Sequence, residues 1–337
     1  MQNYQYYKSV FQNEQLPLAF VDLDLMDKNI DILLNRARDK RIRIASKSIR
    51  CRAVMEYIFK KNAQFQGIMA FHGAEAAFLS KNGFDDILMG YPIVDKKEIA
   101  VIGQELQKQK YICLMVDHPD HLTVIEQVGK SINQTFPICI DLDLSVDFGP
   151  IHFGVWRSQI TGMALLNQLL EQIQDCKYLQ LDGLMGYEAQ IAGIGDAIGG
   201  RWALKKIIRL LKSRSIPKIA QKRAEAITLI REKGFDLKLV NGGGTGSLES
   251  TTEENGITEV TVGSGFYNSH LFDYYSEFQL QPAAAFALEA TRHPKAGIIT
   301  CHGGGYIASG ETGHLKAPLP YLPKGLTLDK NEGAGEV

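Results

Sequence analysis

The sequence predicts an α/β fold, a (β/α)8 barrel followed by a C-terminal antiparallel β domain, and three observations predict it. Short apolar or β-branched runs recur eight times between residues 42 and 263, and longer helical patterns alternate with them. Beyond about residue 274 the texture changes to β-type runs punctuated by Pro and Gly, with no long helix. The 337 residues, 45% hydrophobic and 22% charged, are enough to bury one large core or two smaller ones.

Taken in order, a helical pattern over residues 26–40 (MDKNIDILLNRARDK) precedes the first strand, IRIASKS at 42–48. FQGIMAF at 65–71, DDILMGY at 85–91, YICLMVD at 111–117 and FPICIDLDL at 136–144 follow. LQLDGLMGY at 179–187, FDLKLVN at 235–241 and ITEVTVG at 257–263 complete the eight. Between them lie helical stretches such as CRAVMEYIFKK, GAEAAFLSK, DKKEIAVIGQELQKQ, MALLNQLLEQIQ and the long amphipathic run from Arg201 to Lys233. An open doubly wound sheet competes for such an alternation, and the count of eight favours the closed barrel. Residues 1–272 are expected to form the barrel, with an N-terminal strand and helix, and 273–337 the β domain. The last stretch, KAPLPYLPKGLTLDKNEGAGEV, has no obvious strand or helix, so the β domain is expected to be incomplete.

Lys and Arg number 37 against 38 Asp and Glu, a formal net charge of -1 that gives no electrostatic case for nucleic acid or an anionic membrane. The expected partner is a small molecule. Five widely spaced cysteines, mostly in apolar runs such as YICLMV and FPICID, suit reduced core thiols. The N-terminus lacks the basic and apolar regions of a signal peptide, and no apolar run reaches membrane-spanning length, so a soluble cytoplasmic chain is expected.

Function in such barrels gathers at the C-terminal ends of the strands, with a phosphate site after strands seven and eight. VNGGGTGS (240–247) and VGSGFYNS (262–269) fall at those two ends. Their glycines let backbone amides form an anion-binding nest, and Thr245, Ser247 and Ser264 add hydroxyl donors. A dinucleotide fingerprint fits poorly, because the spacing is not G-x-G-x-x-G. Ser46 and Lys47 follow an alternating first strand whose inward positions are expected to be apolar, which aims Lys47 at the barrel mouth. A desolvated lysine there can form a Schiff base with a carbonyl; a strand-end lysine that merely snorkels is the structural alternative.

Other strand ends contribute His72, Tyr91, His118 and Tyr187 with Glu188. HPDH at 118–121 reads as a helix start capped by Asp120 or Asp117. Asp141, Asp143 and Asp147 belong to strand five and its loop, where alternation places them on one side, for salt bridges or for catalysis. No CxxC pair, HExxH or EF-hand loop occurs, and adjacent Cys301 and His302 point to opposite faces of a regular strand, so no metal site is assigned.

These residues resemble the fold type III enzymes of pyridoxal 5′-phosphate, the alanine racemase-like barrel, and most closely the D-threonine aldolase and D-serine dehydratase-like branch of amino acid deaminase/aldolases. LPLAFVDLDLMDKNI, IRIASKS, GLMGYEAQIAG, VNGGGTGS, TVGSGFY and ITCHGGGYIASG carry the likeness over nearly the whole chain. The resemblance implies that Lys47 bears the internal aldimine. It places the phosphate on Gly243, Gly244, Thr245 and the Gly263-Ser264-Gly265 turn, with Tyr267 close by, and Tyr187 beside the cofactor. In DFGPIHFGV, His152 stands where alanine racemases carry an arginine near the cofactor's ring oxygen. The branch also uses a divalent metal held, close to the C-terminus, by a His and, two residues later, a Cys or Asp; no such pair occurs in the last segment of this sequence. A homodimer is implied.

The implied activity is a lyase acting on a β-hydroxy D-amino acid, by retro-aldol cleavage or by dehydration, through carbanion chemistry at Cα. An amino acid racemase is the alternative on the same fold, ranked lower because no second base can be named. A cofactor-free Schiff-base aldolase of sugar phosphates and a non-catalytic carrier of pyridoxal phosphate are the two readings from outside that chemistry.

Overall fold

The computed structural model describes residues 3–199, 202–303 and 318–328. Its strands, numbered in chain order, are β1 (Leu18–Val21), β2 (Arg41–Ala45), β3 (Phe65–Ala70), β4 (Ile87–Pro92), β5 (Ile112–Val116), β6 (Phe136–Asp141), β7 (Val146–Phe148), β8 (Ile151–Phe153), β9 (Leu179–Gly186), β10 (Leu239–Gly242), β11 (Glu259–Val262), β12 (Ala284–Ala287), β13 (Glu289–Lys295) and β14 (Ile298–His302). The chain divides into two compact units, Ile30–Phe266 and a second made of Met1–Asn29 with Tyr267–Val337.

In the larger unit, eight parallel strands close into a barrel in the order β10-β11-β2-β3-β4-β5-β6-β9. The seam is sealed where β11 pairs with β2, Val260 opposite Ile42 and Val262 opposite Ile44. Every residue of β5 (ICLMV) and of β6 (FPICID) is buried, as expected of strands covered on both faces. The eight runs read from the sequence are these eight strands. The long helical run is Trp202–Glu232, with Pro217 inside it. Cys113 and Cys139 are buried in β5 and β6, and burial pushes both thiols up.

Four local readings change. The first strand stops at Ala45, and Ser46–Ile49 makes one helical turn, closed by Arg50 in the left-handed region at φ 51° with its amide on the Ser46 carbonyl. Ser46 Oγ donates to the Met69 carbonyl at 3.1 Å, which ties that turn to the end of β3. The inward positions of β2 are not apolar: Arg43, 1% exposed, meets Glu259 of β11 inside the barrel, Nε to Oε1 2.6 Å, and Asp86 at the start of β4, Nη2 to Oδ1 2.9 Å. Alternation puts Ile42 and Ile44 on the outer face, so Arg43 takes the interior and needs charged partners there. The helix Pro119–Ile132 is capped by neither aspartate, since His118 Nδ1 itself accepts the Asp120 amide at 3.1 Å. Asp141, Asp143 and Asp147 share no strand face, because β6 ends at Asp141 and the β7–β8 hairpin begins only at Val146.

The second unit holds the antiparallel strands. β1 pairs with β12, Leu18 opposite Ala287 and Val21 opposite Ala284, so the N-terminal strand joins the C-terminal segment and not the barrel. β13 and β14 form a hairpin whose turn places Gly297 at φ 81°. The Gly304-to-Gly310 part of the CHGGGYIASG motif lies outside the described residues.

Candidate active site

The C-terminal ends of the barrel strands carry a connected set of side chains. Lys47 Nζ donates to the Tyr91 hydroxyl at 2.9 Å and lies 5.4 Å from the centre of its ring. On the same ring sits Arg157, its Cζ 5.2 Å from the centroid, and 5.8 Å from the Tyr187 ring as well. Arg157 is held in place by Asp141 at the end of β6, Nε to Oδ2 2.7 Å, and by the Gly90 carbonyl, also 2.7 Å. A planar guanidinium between two phenol rings, restrained on one edge, is preorganised for an anionic oxygen.

The two glycine turns complete the ring of groups. At Gly244 a Cβ would lie 3.1 Å from the Tyr187 ring, so the turn after β10 approaches that tyrosine closely enough that a side chain there would make it give by a few tenths of an ångström. At Gly263 a Cβ would lie 2.6 Å from Ser48 Oγ, which brings the turn after β11 against the Lys47 turn. The two loops touch each other where Thr245 Oγ1 accepts the Gly265 amide at 3.1 Å. At both glycines the space a Cβ would take is already filled by neighbouring side chains, Tyr187 and Ala192 at one and Ser48 and Ala45 at the other, so both turns pack closely at the strand ends. A primary amine, phenol hydroxyls, a guanidinium and two such turns form the donor set that a phosphorylated pyridine aldehyde requires.

Of the residues singled out from the sequence, Lys47, Tyr187, Gly244, Thr245, Gly263 and Gly265 are brought together, with Gly243 (φ 77°) and Ser264 in the same turns. One amide and one hydroxyl of the first turn are already committed. Gly244 N donates to Ser247 Oγ at 3.0 Å, and Ser247 Oγ donates to Glu188 at 2.9 Å, so neither is a donor to a ligand. His152 turns elsewhere: Nδ1 is 2.8 Å from Asp147, and the ring stacks on Trp156 at 3.8 Å. Tyr267 belongs to the second unit, where its carbonyl accepts the Ala283 amide. His72 and His118 serve as helix caps. Arg157 was not legible: its only signal is its position five residues beyond His152, in a loop whose path no periodicity fixes.

Burial, the largest influence, pushes the Asp141 carboxyl up to about 6, against the pull of Arg157 and with the help of Asp117 and Asp143. The folded protein therefore holds this proton more tightly than the unfolded chain. The stability it contributes is full below about pH 4 and is lost as pH rises through about 6, at most about 3 kcal/mol. Removing the guanidinium in Arg157→Met is expected to raise the Asp141 ionisation further, read from its carboxyl carbon by NMR. An unchanged midpoint would show that Arg157 exerts no pull.

A lysine at the mouth of an eight-stranded parallel barrel, following the strand beside the two that carry the glycine turns, defines the class: this is the barrel of the fold type III pyridoxal phosphate enzymes. The chain belongs to the family of the alanine racemase N-terminal domain, matched over residues 21–270. A D-threonine aldolase from Arthrobacter sp. is 24% identical over 199 residues, which cover 59% of this chain and 47% of that protein. The chain thus matches about half the length of that relative. The crystal structure of D-threonine aldolase from Filomicrobium marinum matches with a TM-score of 0.71 at 16% identity, covering 86% of this chain and 73% of the other. D-threo-3-hydroxyaspartate dehydratase from Delftia sp. HT23 matches at 0.67 and 19%, over 87% and 72%. Alanine racemase from Clostridium difficile 630 matches at 0.61 and 16%, over 86% and 72%. Among the described residues no helix is long and apolar enough to cross a membrane, and no group of three or more His, Cys, Asp or Glu is placed to hold a metal ion.

Proposed function

We propose that this chain is a pyridoxal 5′-phosphate-dependent lyase acting on a β-hydroxy D-amino acid. The observation that carries the reading is the Lys47 amine on the Tyr91 hydroxyl, 2.9 Å apart, in a mouth bounded by two glycine turns. When bound, the cofactor supplies an electron sink for charge at the substrate's Cα. Lys47 would hold the cofactor through its Nζ, and as a free amine it would hold or move the proton at the substrate's reacting carbon. Tyr91 exchanges a proton with Nζ along their hydrogen bond.

Arg157 takes the contact to the cofactor's ring oxygen for which His152 was the expectation, because it is the cation whose guanidinium faces both Tyr91 and Tyr187. The turns Gly243 to Thr245 and Gly263 to Gly265 are the proposed grip on the phosphate, through groups other than the Gly244 and Gly265 amides. Relatives named as an aldolase and a dehydratase support a lyase, and the racemase among the structural matches makes racemisation the second reading. The active species is proposed to be a homodimer.

The test is a titration of the purified protein with pyridoxal phosphate, followed by D-threonine or D-serine. Absorbance growing near about 420 nm, then acetaldehyde with glycine or pyruvate with ammonia, is the expected result. A spectrum that stays featureless sinks the cofactor and favours a Schiff-base sugar-phosphate aldolase. A band followed only by loss of optical activity makes the protein a racemase.

A further inference from the structure

We propose that Glu188 and Arg223 form a buried ionic strut that sets the turn from Gly244 to Ser247, which makes both of them positioning residues for the cofactor phosphate. The inference rests on the pyridoxal phosphate reading. Arg223, 1% exposed, comes from the helix Trp202–Glu232, and Glu188, also 1% exposed, follows Tyr187 at the end of β9. Arg223 Nη2 lies 3.0 Å from Glu188 Oε2 and also donates to the Gly186 carbonyl at 3.2 Å, while Nη1 pairs with Glu254. Burying a guanidinium and a carboxylate is costly, and the pair is retained in the interior only where the remaining lone pairs are hydrogen-bonded.

Those remaining bonds lead to the turn. Glu188 Oε1 accepts from Ser247 Oγ at 2.9 Å and from Thr251 Oγ1. A serine hydroxyl has one proton, so Ser247, donating to the carboxylate, is left as an acceptor, and it accepts the Gly244 amide at 3.0 Å. The competing arrangement, donation from Ser247 Oγ to the Gly244 carbonyl, spans 3.5 Å and is the weaker bond. Charge on Glu188 therefore decides which way the hydroxyl points, and the hydroxyl pins the peptide between Gly243 and Gly244. Gly244, which follows that peptide, lies against the edge of the Tyr187 ring, where a Cβ would come within 3.1 Å. Neither Glu188 nor Arg223 needs to touch a ligand to do this; their effect reaches the phosphate through Ser247.

The experiment compares binding of pyridoxal phosphate and of pyridoxal, which lacks the phosphate, to the wild type, Ser247→Ala, Glu188→Gln, the double variant and Ser247→Thr. Each single loss is expected to raise the Kd for pyridoxal phosphate about 10- to 100-fold. The double variant should be no worse than the poorer single one, since both act through one bond. Ser247→Thr, which keeps the hydroxyl, should restore the affinity, and the Kd for pyridoxal should change less than about twofold throughout. Ser247→Ala leaves the Arg223–Glu188 pair intact, so it decides the matter even if Glu188→Gln does not fold. A Kd for pyridoxal phosphate within about twofold of wild type in Ser247→Ala overturns the strut. So does an equal loss for pyridoxal, which would show a general disturbance of the site. A wild type that takes up no pyridoxal phosphate overturns the cofactor reading itself, and the strut falls with it.

Discussion

Lys47→Ala is expected to lose the absorbance near about 420 nm and to lower turnover by at least about three orders of magnitude, because one amine both holds the cofactor and moves the proton at Cα. The fold should tolerate the change. Lys47 sits on a single helical turn and its side chain makes one hydrogen bond, to Tyr91, so the stability cost is about 1 kcal/mol or less. Loss of activity with an unchanged melting curve separates the role from structural damage. A small exogenous amine supplied to the variant should return part of the turnover, since the vacated volume next to Tyr91 admits it. Turnover within about tenfold of wild type in Lys47→Ala would sink the assignment and leave this residue a surface lysine.

The barrel was legible because its strands are buried on both faces and so read as short continuous apolar runs, as in ICLMV and FPICI. Strand-end chemistry followed from the same count, since placing VNGGGTGS and VGSGFYNS after strands seven and eight needs only their order. What alternation could not show is which face is polar. Along RIRIA the apolar residues Ile42 and Ile44 mark the outer face, and the charged residue between them is the one that points inward. Tertiary partners distant in sequence, Asp86 just before β4 and Glu259 of β11, make that placement affordable. Arg157 and the path from Arg223 to Gly244 were hidden for a related reason: each is defined by contacts across loops or between a helix and a turn, where no period constrains direction. The turn at Ser46–Ile49 was hidden too, because its stabilising bonds run from Ser46 to β3 and from Arg50 back to Lys47.

The second large effect is expected at the polar centre of the barrel. Arg43→Met should destabilise the protein by about 3 to 5 kcal/mol, since it leaves the buried Glu259 with only Arg41, 3.8 Å away and 38% exposed, as counter-charge. Glu259→Leu should cost a similar amount, leaving Arg43 with Asp86, whose side chain is 38% exposed. The double variant should cost clearly less than the two together, because two apolar side chains of similar volume avoid both orphaned charges. Acid makes the sharper test. Burial alone would raise the Glu259 carboxyl, but Arg43 and the Asn241 amide outweigh it and hold the group below the usual carboxylate range. In the wild type its contribution is present above about pH 4.3 and is lost as pH falls through the lower folded value. Without Arg43 burial is opposed only by the Asn241 amide and by the solvent-screened Arg41 at 3.8 Å, and it prevails, so the sign reverses: the variant should gain stability on acidification, from neutral pH towards about 5, relative to the double variant that lacks this carboxyl. Denaturant titrations of the three variants and the wild type between pH 4 and 7 measure both effects. Additive losses in the cycle, or parallel pH profiles for Arg43→Met and the double variant, would show that the pair is not what supports the barrel interior.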